Sequence, residues 1–75
     1  MVELVKYIAQ SLVEKPEAVD VREIVEEDSV TIELRVDPDD MGKVIGKQGR
    51  IAKAIRTAVK AASVHSDKPV FVEII

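Results

Sequence analysis

The residues best suited to chemistry are two glycines that enclose two polar side chains, Gly46-Lys47-Gln48-Gly49. Because glycine has no Cβ, the turn can be tight and a sugar-phosphate backbone can come close to it. A helix that follows such a turn directs its free N–H groups and its positive dipole end at an anion. Lys47 and Arg50 add mobile positive charge. The motif predicts a phosphate-binding turn; a tight helix-to-helix turn without a ligand is the alternative.

Two other glycine-containing phosphate motifs do not fit this sequence. A Walker loop requires Gly-Lys-Ser/Thr after four spacer residues, and a dinucleotide fingerprint requires a strand directly before its glycines. Gly42, Gly46 and Gly49 satisfy neither spacing. The turn instead lies between two predicted short helices.

The net charge of −3 conceals an uneven distribution of charged residues. The segment from Gly42 to Lys60 contains no acid and six cations: Lys43, Lys47, Arg50, Lys53, Arg56 and Lys60. The other 56 residues hold five cations and 14 acids. A +6 block in an acidic chain creates a local field that attracts anions. A solvated helix face is the alternative explanation.

Length and composition exclude several classes of protein. Seventy-five residues, 47% of them apolar and 33% charged, predict one globular domain over residues 1–75. The chain has no Cys and one His, which excludes disulfides, thiolate chemistry and the usual zinc sites. No apolar run reaches the roughly 20 residues that span a bilayer, and Glu3 stands where a secretory signal would be basic. We expect a cytoplasmic protein without membrane contact.

The hydropathy pattern predicts an α-β-β-α-α-β order of elements. The ranges are a helix over 2–14, strands over 18–25 and 30–36, helices over about 38–45 and 50–63, and a strand over 70–75. Alternation slips between Val21 and Ile24, which predicts a bulge or a late start of the first strand. The first two strands form a hairpin, and the two-helix crossover requires the last strand to pair parallel. The predicted fold is α+β, a three-stranded mixed sheet with three helices on one face.

The helices that flank the glycine turn have recognisable starts and faces. We interpret Asp37, Asp39 and Asp40 as helix-start residues around Pro38, and not as a metal site or a catalytic carboxylate pair. On the second helix, a predicted buried side opposes the cations Lys53, Arg56 and Lys60; its members are Ile51, Ile55, Ala58, Val59 and Ala62. Apolar residues beside the turn are expected to line a groove at the sheet edge that could hold bases: Val44, Ile45, Ile51 and Ile55.

The segment from Val44 to Ile55 resembles the signature of the KH domain, a single-stranded nucleic-acid-binding module whose GXXG loop clamps about four nucleotides. The leading helix and strand match the bacterial, type II arrangement. Further segments resemble the small single-domain bacterial KhpA (YlqC) family over essentially the whole chain: 15–17, 28–30, 38–50 and 72–74. The sequence departs from the general KH pattern at Ala52, where isoleucine is common. This departure leaves the loop intact and affects the groove floor.

The resemblance implies a cytoplasmic RNA-binding protein that acts as an RNA chaperone or post-transcriptional regulator. It also implies a larger KH-containing partner of the KhpB (Jag) type, with effects on cell-wall synthesis and cell shape. Gly46 and Gly49 would admit the RNA backbone, and Lys47 and Gln48 would hold its phosphates. The remaining implied contacts are flanking charge from Lys43, Arg50 and Lys53 and apolar surface from Val44, Ile45 and Ile51. No cofactor or metal is implied.

Two other classes of function compete with RNA binding. The chain could be a protein–protein assembly module with vestigial RNA binding, which the acidic remainder and the apolar segment Val70–Ile75 favour. An enzyme has less support, because Ser11, Ser29 and Ser63 have no apparent base. Tyr7 and Phe71 are the only aromatics and lie outside the motif, so an aromatic stacking platform is not expected. A groove for four nucleotides binds weakly, so we expect a homodimer or a larger partner.

Overall fold

The computed structural model describes all 75 residues and has the predicted order of helices and strands. The helices are α1 (Val2–Leu12), α2 (Met41–Ile45) and α3 (Arg50–Ala62). The strands are β1 (Asp20–Val25), β2 (Val30–Arg35) and β3 (Val70–Ile74). Single 3₁₀ turns at Pro16–Ala18, Pro38–Asp40 and Lys47–Gly49 precede β1, α2 and α3. None of the helices is both long and apolar enough to cross a membrane.

The three strands form one mixed sheet in the order β1-β2-β3. β1 and β2 pair antiparallel from Asp20 opposite Arg35 to Val25 opposite Val30, and β2 and β3 pair parallel. The α+β prediction with a three-stranded mixed sheet is therefore confirmed. Of the two expectations for β1, the late start is confirmed, whereas the bulge is absent because the register with β2 is unbroken.

The core lies between the sheet and the helices. Its buried members are Val5 and Ala9 of α1, Val44 of α2, Ile55 and Val59 of α3, and Val19, Ile32, Leu34, Val36 and Val72 of the sheet layer. Ile32 pairs with Val72, and both are buried, whereas their neighbours Thr31 and Phe71 are not. Because side chains alternate along a strand, all helices pack on this one face of the sheet.

Helix faces differ in detail from the prediction. α1 ends at Leu12, two residues earlier than predicted, and its buried residues are Val5 and Ala9. On α3, Ala52 is buried and Ala62 is exposed, so the expected buried side was wrong at Ala62, which lies in the final turn.

Asp37 and Asp40 have different roles at the start of α2. Asp37 caps the turn as predicted, because its Oδ1 accepts the N–H of Asp39 at 2.9 Å. Asp40 is only 2% exposed, and its two carboxylate oxygens accept the N–H groups of Glu14 at 3.2 Å and Lys15 at 3.1 Å. Asp40 lies at the start of α2, as interpreted, and it has a further role that the sequence did not indicate. Its carboxylate satisfies backbone donors that follow α1 and joins that segment to α2.

Candidate nucleic-acid interface

The loop Gly46–Gly49 has an unusual backbone conformation. Gly46, Gln48 and Gly49 have φ angles of 76°, 57° and 74°, a region that favours glycine. The N–H of Gly46 donates to Gly42 O at 2.9 Å, and the N–H of Gly49 donates to Gly46 O at 3.1 Å. These bonds end α2 and turn the chain into α3 within four residues.

The two glycines are required for different reasons. A Cβ at Gly46 would lie 2.5 Å from Cγ1 of Ile51, so only glycine allows Ile51 to pack against the loop. A Cβ at Gly49 would meet no atom within 4 Å. The surface at Gly49 is therefore open to a ligand, and glycine is favoured at this position because its φ is positive.

The side chains at the tip of the loop are exposed. Lys47, Gln48 and Arg50 all face solvent, and Arg50 Nη2 donates to Gln48 Oε1 at 3.1 Å. The structure thus brings the predicted phosphate-contacting residues together at one end of α3. Gln48 is the one non-glycine residue of the chain that has a positive φ.

Most of the cationic block is free of carboxylates. No Asp or Glu oxygen lies within 4.0 Å of the charged nitrogens of Lys47, Arg50, Lys53, Arg56 or Lys60. Five unneutralised cations therefore follow the loop and α3, which favours the approach of a polyanion. The alternative of a helix face balanced by ion pairs does not hold for these five residues.

Lys43, the sixth cation, is held inside the protein's own charge network. Its Nζ lies 3.3 Å from Glu14 Oε1 and 3.6 Å from Asp40 Oδ1. The hydrogen bond to Glu14 raises the pKa of Lys43, and burial, which opposes the shift, does not cancel it. The expectation that Lys43 supplies flanking charge to a phosphate is not supported, because two carboxylates already neutralise it.

The same network sets the charge state of Asp40. Burial works to raise the pKa of Asp40, but the N–H groups of Glu14 and Lys15 and the charge of Lys43 outweigh it. The pKa therefore lies below its ordinary value of 3.8, and the carboxylate is ionised at neutral pH.

The apolar residues beside the loop do not form the expected groove. The side chains of Val44 and Ile55 are buried in the core, so they cannot contact a bound base. Their inclusion in the groove was wrong. Ile45 is 37% exposed and Ile51 is half-buried, so these two provide the apolar surface next to the loop.

An open groove that the sequence did not indicate runs beside α3. Its volume is about 750 Å³, and it lies between α3 and the start of β3; its lining includes Arg56, Lys60, Val70, Phe71 and Val72. The prediction placed Arg56 opposite the buried side of α3, but its Nε reaches Val72 O at 3.5 Å. The four-residue spacing of Arg56 and Lys60 was the available signal, since it places both on one flank of a helix.

The free edge of β3 forms the other wall of this groove. Val30 N–H donates to Pro69 O, and Ile75 N–H donates to Leu34 O, both at 2.9 Å. In a parallel pair successive residues turn their polar groups to alternate sides, so Val70, Val72 and Ile74 direct theirs to the open edge. Unpaired edge groups of this kind can bind the hydrogen-bonding edge of a planar base.

Other residues singled out from the sequence do not join the site. Tyr7 and His65 are exposed at positions outside the groove and loop. No cluster of three or more His, Asp or Glu side chains has the arrangement of a metal site.

A family model and individual relatives agree on the family that this chain matches. Residues 2–74 match the family model described as the KH domain of KhpA/KhpB. The chain is 65% identical over 75 residues to the RNA-binding protein KhpA of Clostridium perfringens, with all of both chains covered. It is 49% identical to the RNA-binding protein KhpA of Aquifex aeolicus, covering 97% of this chain and 92% of that one.

Solved structures with a similar fold are parts of larger proteins. A variant of Aquifex aeolicus Era bound to GDP and AlF4 superposes with a TM-score of 0.69 at 22% identity, over 97% of this chain and 28% of that one. Era in complex with MgGDPNP and nucleotides 1506–1542 of 16S ribosomal RNA gives 0.64 at 20% identity, over 99% and 30% of the two chains. At these identities the likeness concerns the fold alone.

Proposed function

Because the chain belongs to the KhpA/KhpB KH-domain family, we propose that it binds single-stranded RNA through the Gly46–Gly49 loop and the groove between α3 and β3. The observation that carries the proposal is the loop itself. Its positive-φ backbone and exposed Lys47 begin a line of five cations that have no carboxylate partner. Relatives that match over their full length at 65% and 64% identity are named RNA-binding proteins, which supports the same conclusion.

In this proposal the loop positions the RNA backbone and the groove contacts the RNA bases. A phosphate lies against the open surface of Gly49, next to the N–H groups that begin α3 and the charges of Lys47 and Arg50. Lys53 and Lys60 add charge along the helix, while Ile45 and Ile51 supply apolar contact. The bases lie towards the edge of β3, where unpaired backbone groups are available.

One such site binds weakly, so we propose that residues 1–75 act as one KH unit beside another. A second copy, or a larger KH-containing partner of the KhpB (Jag) type, would place two weak sites on one RNA molecule. Binding at the first site then raises the effective concentration of RNA at the second, which increases the overall affinity. The cellular role proposed from the family resemblance is that of a cytoplasmic RNA chaperone or post-transcriptional regulator affecting cell-wall synthesis and cell shape. The chain would be a binding protein and not an enzyme.

Fluorescence anisotropy with a labelled 12-nucleotide single strand and its duplex tests the proposal. We expect saturable binding to the single strand in low salt and weaker binding to the duplex, because the groove receives unpaired base edges. A preference for the duplex, or no binding to either at low salt, would contradict the proposed function.

The second candidate, an assembly module, has support from the outer face of the sheet. Ile24 is 40% exposed and Phe71 is 56% exposed, and they flank Thr31 in register across the three strands. In this case partner binding would depend on the outer face of the sheet and be indifferent to the loop. Ile24 lies on that face and does not line the groove, so partner affinity measured with Ile24→Ser and with loop variants separates the two candidates.

A further inference from the structure

We propose that Arg56 is a specificity-determining residue that makes the groove position at Val72 favour cytosine over adenine. This inference rests on the proposed function, since it concerns which base the RNA presents to the groove. It assigns to Arg56 a role different from that of the other cations of α3, which attract phosphate without regard to sequence.

The position of Arg56 is the first observation. Its Nε lies 3.5 Å from the carbonyl oxygen of Val72, and no carboxylate holds it there. Val72 lies in the middle of β3, and its polar groups face the open edge of the sheet. Arg56 therefore covers the one backbone acceptor that the edge offers at this position, while the N–H of Val72 stays uncovered.

The chemistry of that position follows from the count of donors. A guanidinium has five N–H donors and no acceptor. With Nε directed at Val72, the four N–H bonds on Nη1 and Nη2 are left, beside the N–H of Val72 itself. At Val72 the edge of β3 would present both a donor and an acceptor without Arg56, and with Arg56 this position presents donors only.

A surface made only of donors distinguishes the bases. The pairing edge of cytosine has two adjacent acceptors, N3 and O2, with the donor N4 on the other side of N3. When N3 accepts from Val72 N–H and O2 accepts from Arg56, N4 lies at the far end of the edge, away from the covered carbonyl. The pairing edge of adenine has the acceptor N1 beside the donor N6, and that donor finds no acceptor while Arg56 covers the Val72 carbonyl. A polar group left without a partner on binding lowers affinity steeply, so adenine is disfavoured here.

Lys60 provides a matched control for the charge of Arg56. It lies one helical turn further along the same flank of α3, lines the same groove and likewise has no carboxylate partner. Replacing either residue by Met removes one positive charge and keeps a long apolar side chain. Only Arg56→Met uncovers the Val72 carbonyl.

The experiment compares affinities for labelled single-stranded oligo(C) and oligo(A) octamers by fluorescence anisotropy, with circular dichroism to check folding. We expect the wild type to bind oligo(C) about tenfold more tightly, equivalent to one good hydrogen-bonded pair. Arg56→Met should reduce that ratio to about one, whereas Lys60→Met should weaken both complexes and keep the ratio. A wild type that binds both octamers equally, or two folded variants with the same ratio as the wild type, would overturn the inference and leave the proposed function intact. No binding of either octamer at low salt would instead refute the proposed function and this inference with it.

Discussion

Ile51 packs against Gly46 so closely that a Cβ on residue 46 would lie 2.5 Å from its Cγ1 atom. The contact joins the first turn of α3 to the end of α2 and sets the path of the four-residue loop between them. The packing of an apolar side chain therefore fixes the conformation of the loop that is proposed to bind the phosphate. Glycine is required at residue 46 both because a Cβ would clash with Ile51 and because φ is positive.

Replacing Gly46 with Ala should destabilise the protein by about 2–4 kcal/mol. The new methyl group collides with Ile51, and an alanine is strained at a φ of 76°. Urea unfolding followed by circular dichroism measures the loss. Gly49→Ala is the control, since it has a similar φ but open space, and we expect it to cost about 1 kcal/mol. Equal losses for the two variants would contradict the assigned role of Ile51.

Asp40→Asn should lower the melting temperature at pH 7, and the difference from the wild type should shrink in acid. The folded pKa of Asp40 lies below the ordinary value of 3.8 because of two backbone N–H donors and Lys43, which outweigh the opposing effect of burial. Its stabilisation is therefore present above that value and is lost as the pH falls through the folded pKa. Thermal melts from pH 7 to pH 2 follow both proteins. Parallel curves over the whole range would show that the ionised carboxylate contributes nothing.

Binding to RNA should weaken with salt in proportion to the few phosphates that the loop and α3 can contact. Two to four phosphates imply a slope of log affinity against log salt of about −1.5 to −3 for a single strand. Titrations at several potassium chloride concentrations give the slope. A flat response would mean that phosphate contacts do not carry the interaction.

The sequence predicted those features that depend on local patterns. Apolar residues alternate over 30–36, which places Ile32 and Leu34 on one face of the predicted strand, and both are buried. Two glycines around polar residues identified the turn. It failed where distant segments meet. Lys15 and Asp40 are 25 positions apart in the chain, so the sequence does not reveal the contact that buries the Asp40 carboxylate. The contact of Lys43 with Glu14 likewise joins segments that are distant in the sequence.

Neither groove could be predicted correctly from the sequence. The apolar groove expected beside the loop included Val44, because a helix of five residues such as α2 has too few turns to show which side is buried. The proximity of Arg56 to Val72 depends on which strand lies at the sheet edge beneath α3, and this is a property of the assembled fold.

The substitution that addresses the proposed loop contact is the double variant Lys47→Asp with Gln48→Asp. It changes the charge of the loop from +1 to −2 and keeps both glycines. Because both side chains are exposed, the free energy of unfolding should change by no more than about 0.5 kcal/mol. Lys6→Asp with Gln10→Asp makes the same charge change on exposed positions of α1 and serves as the matched control.

The affinity of these two double variants for one single-stranded RNA, measured by fluorescence anisotropy at low salt, is the most direct test of the loop as the RNA site. We predict that the loop variant loses detectable binding while it stays folded, since its two carboxylates repel the phosphate, and that the α1 variant loses at most a few-fold. Equal affinity of the folded loop variant and the wild type would contradict the account and remove Gly46–Gly49 from the binding site.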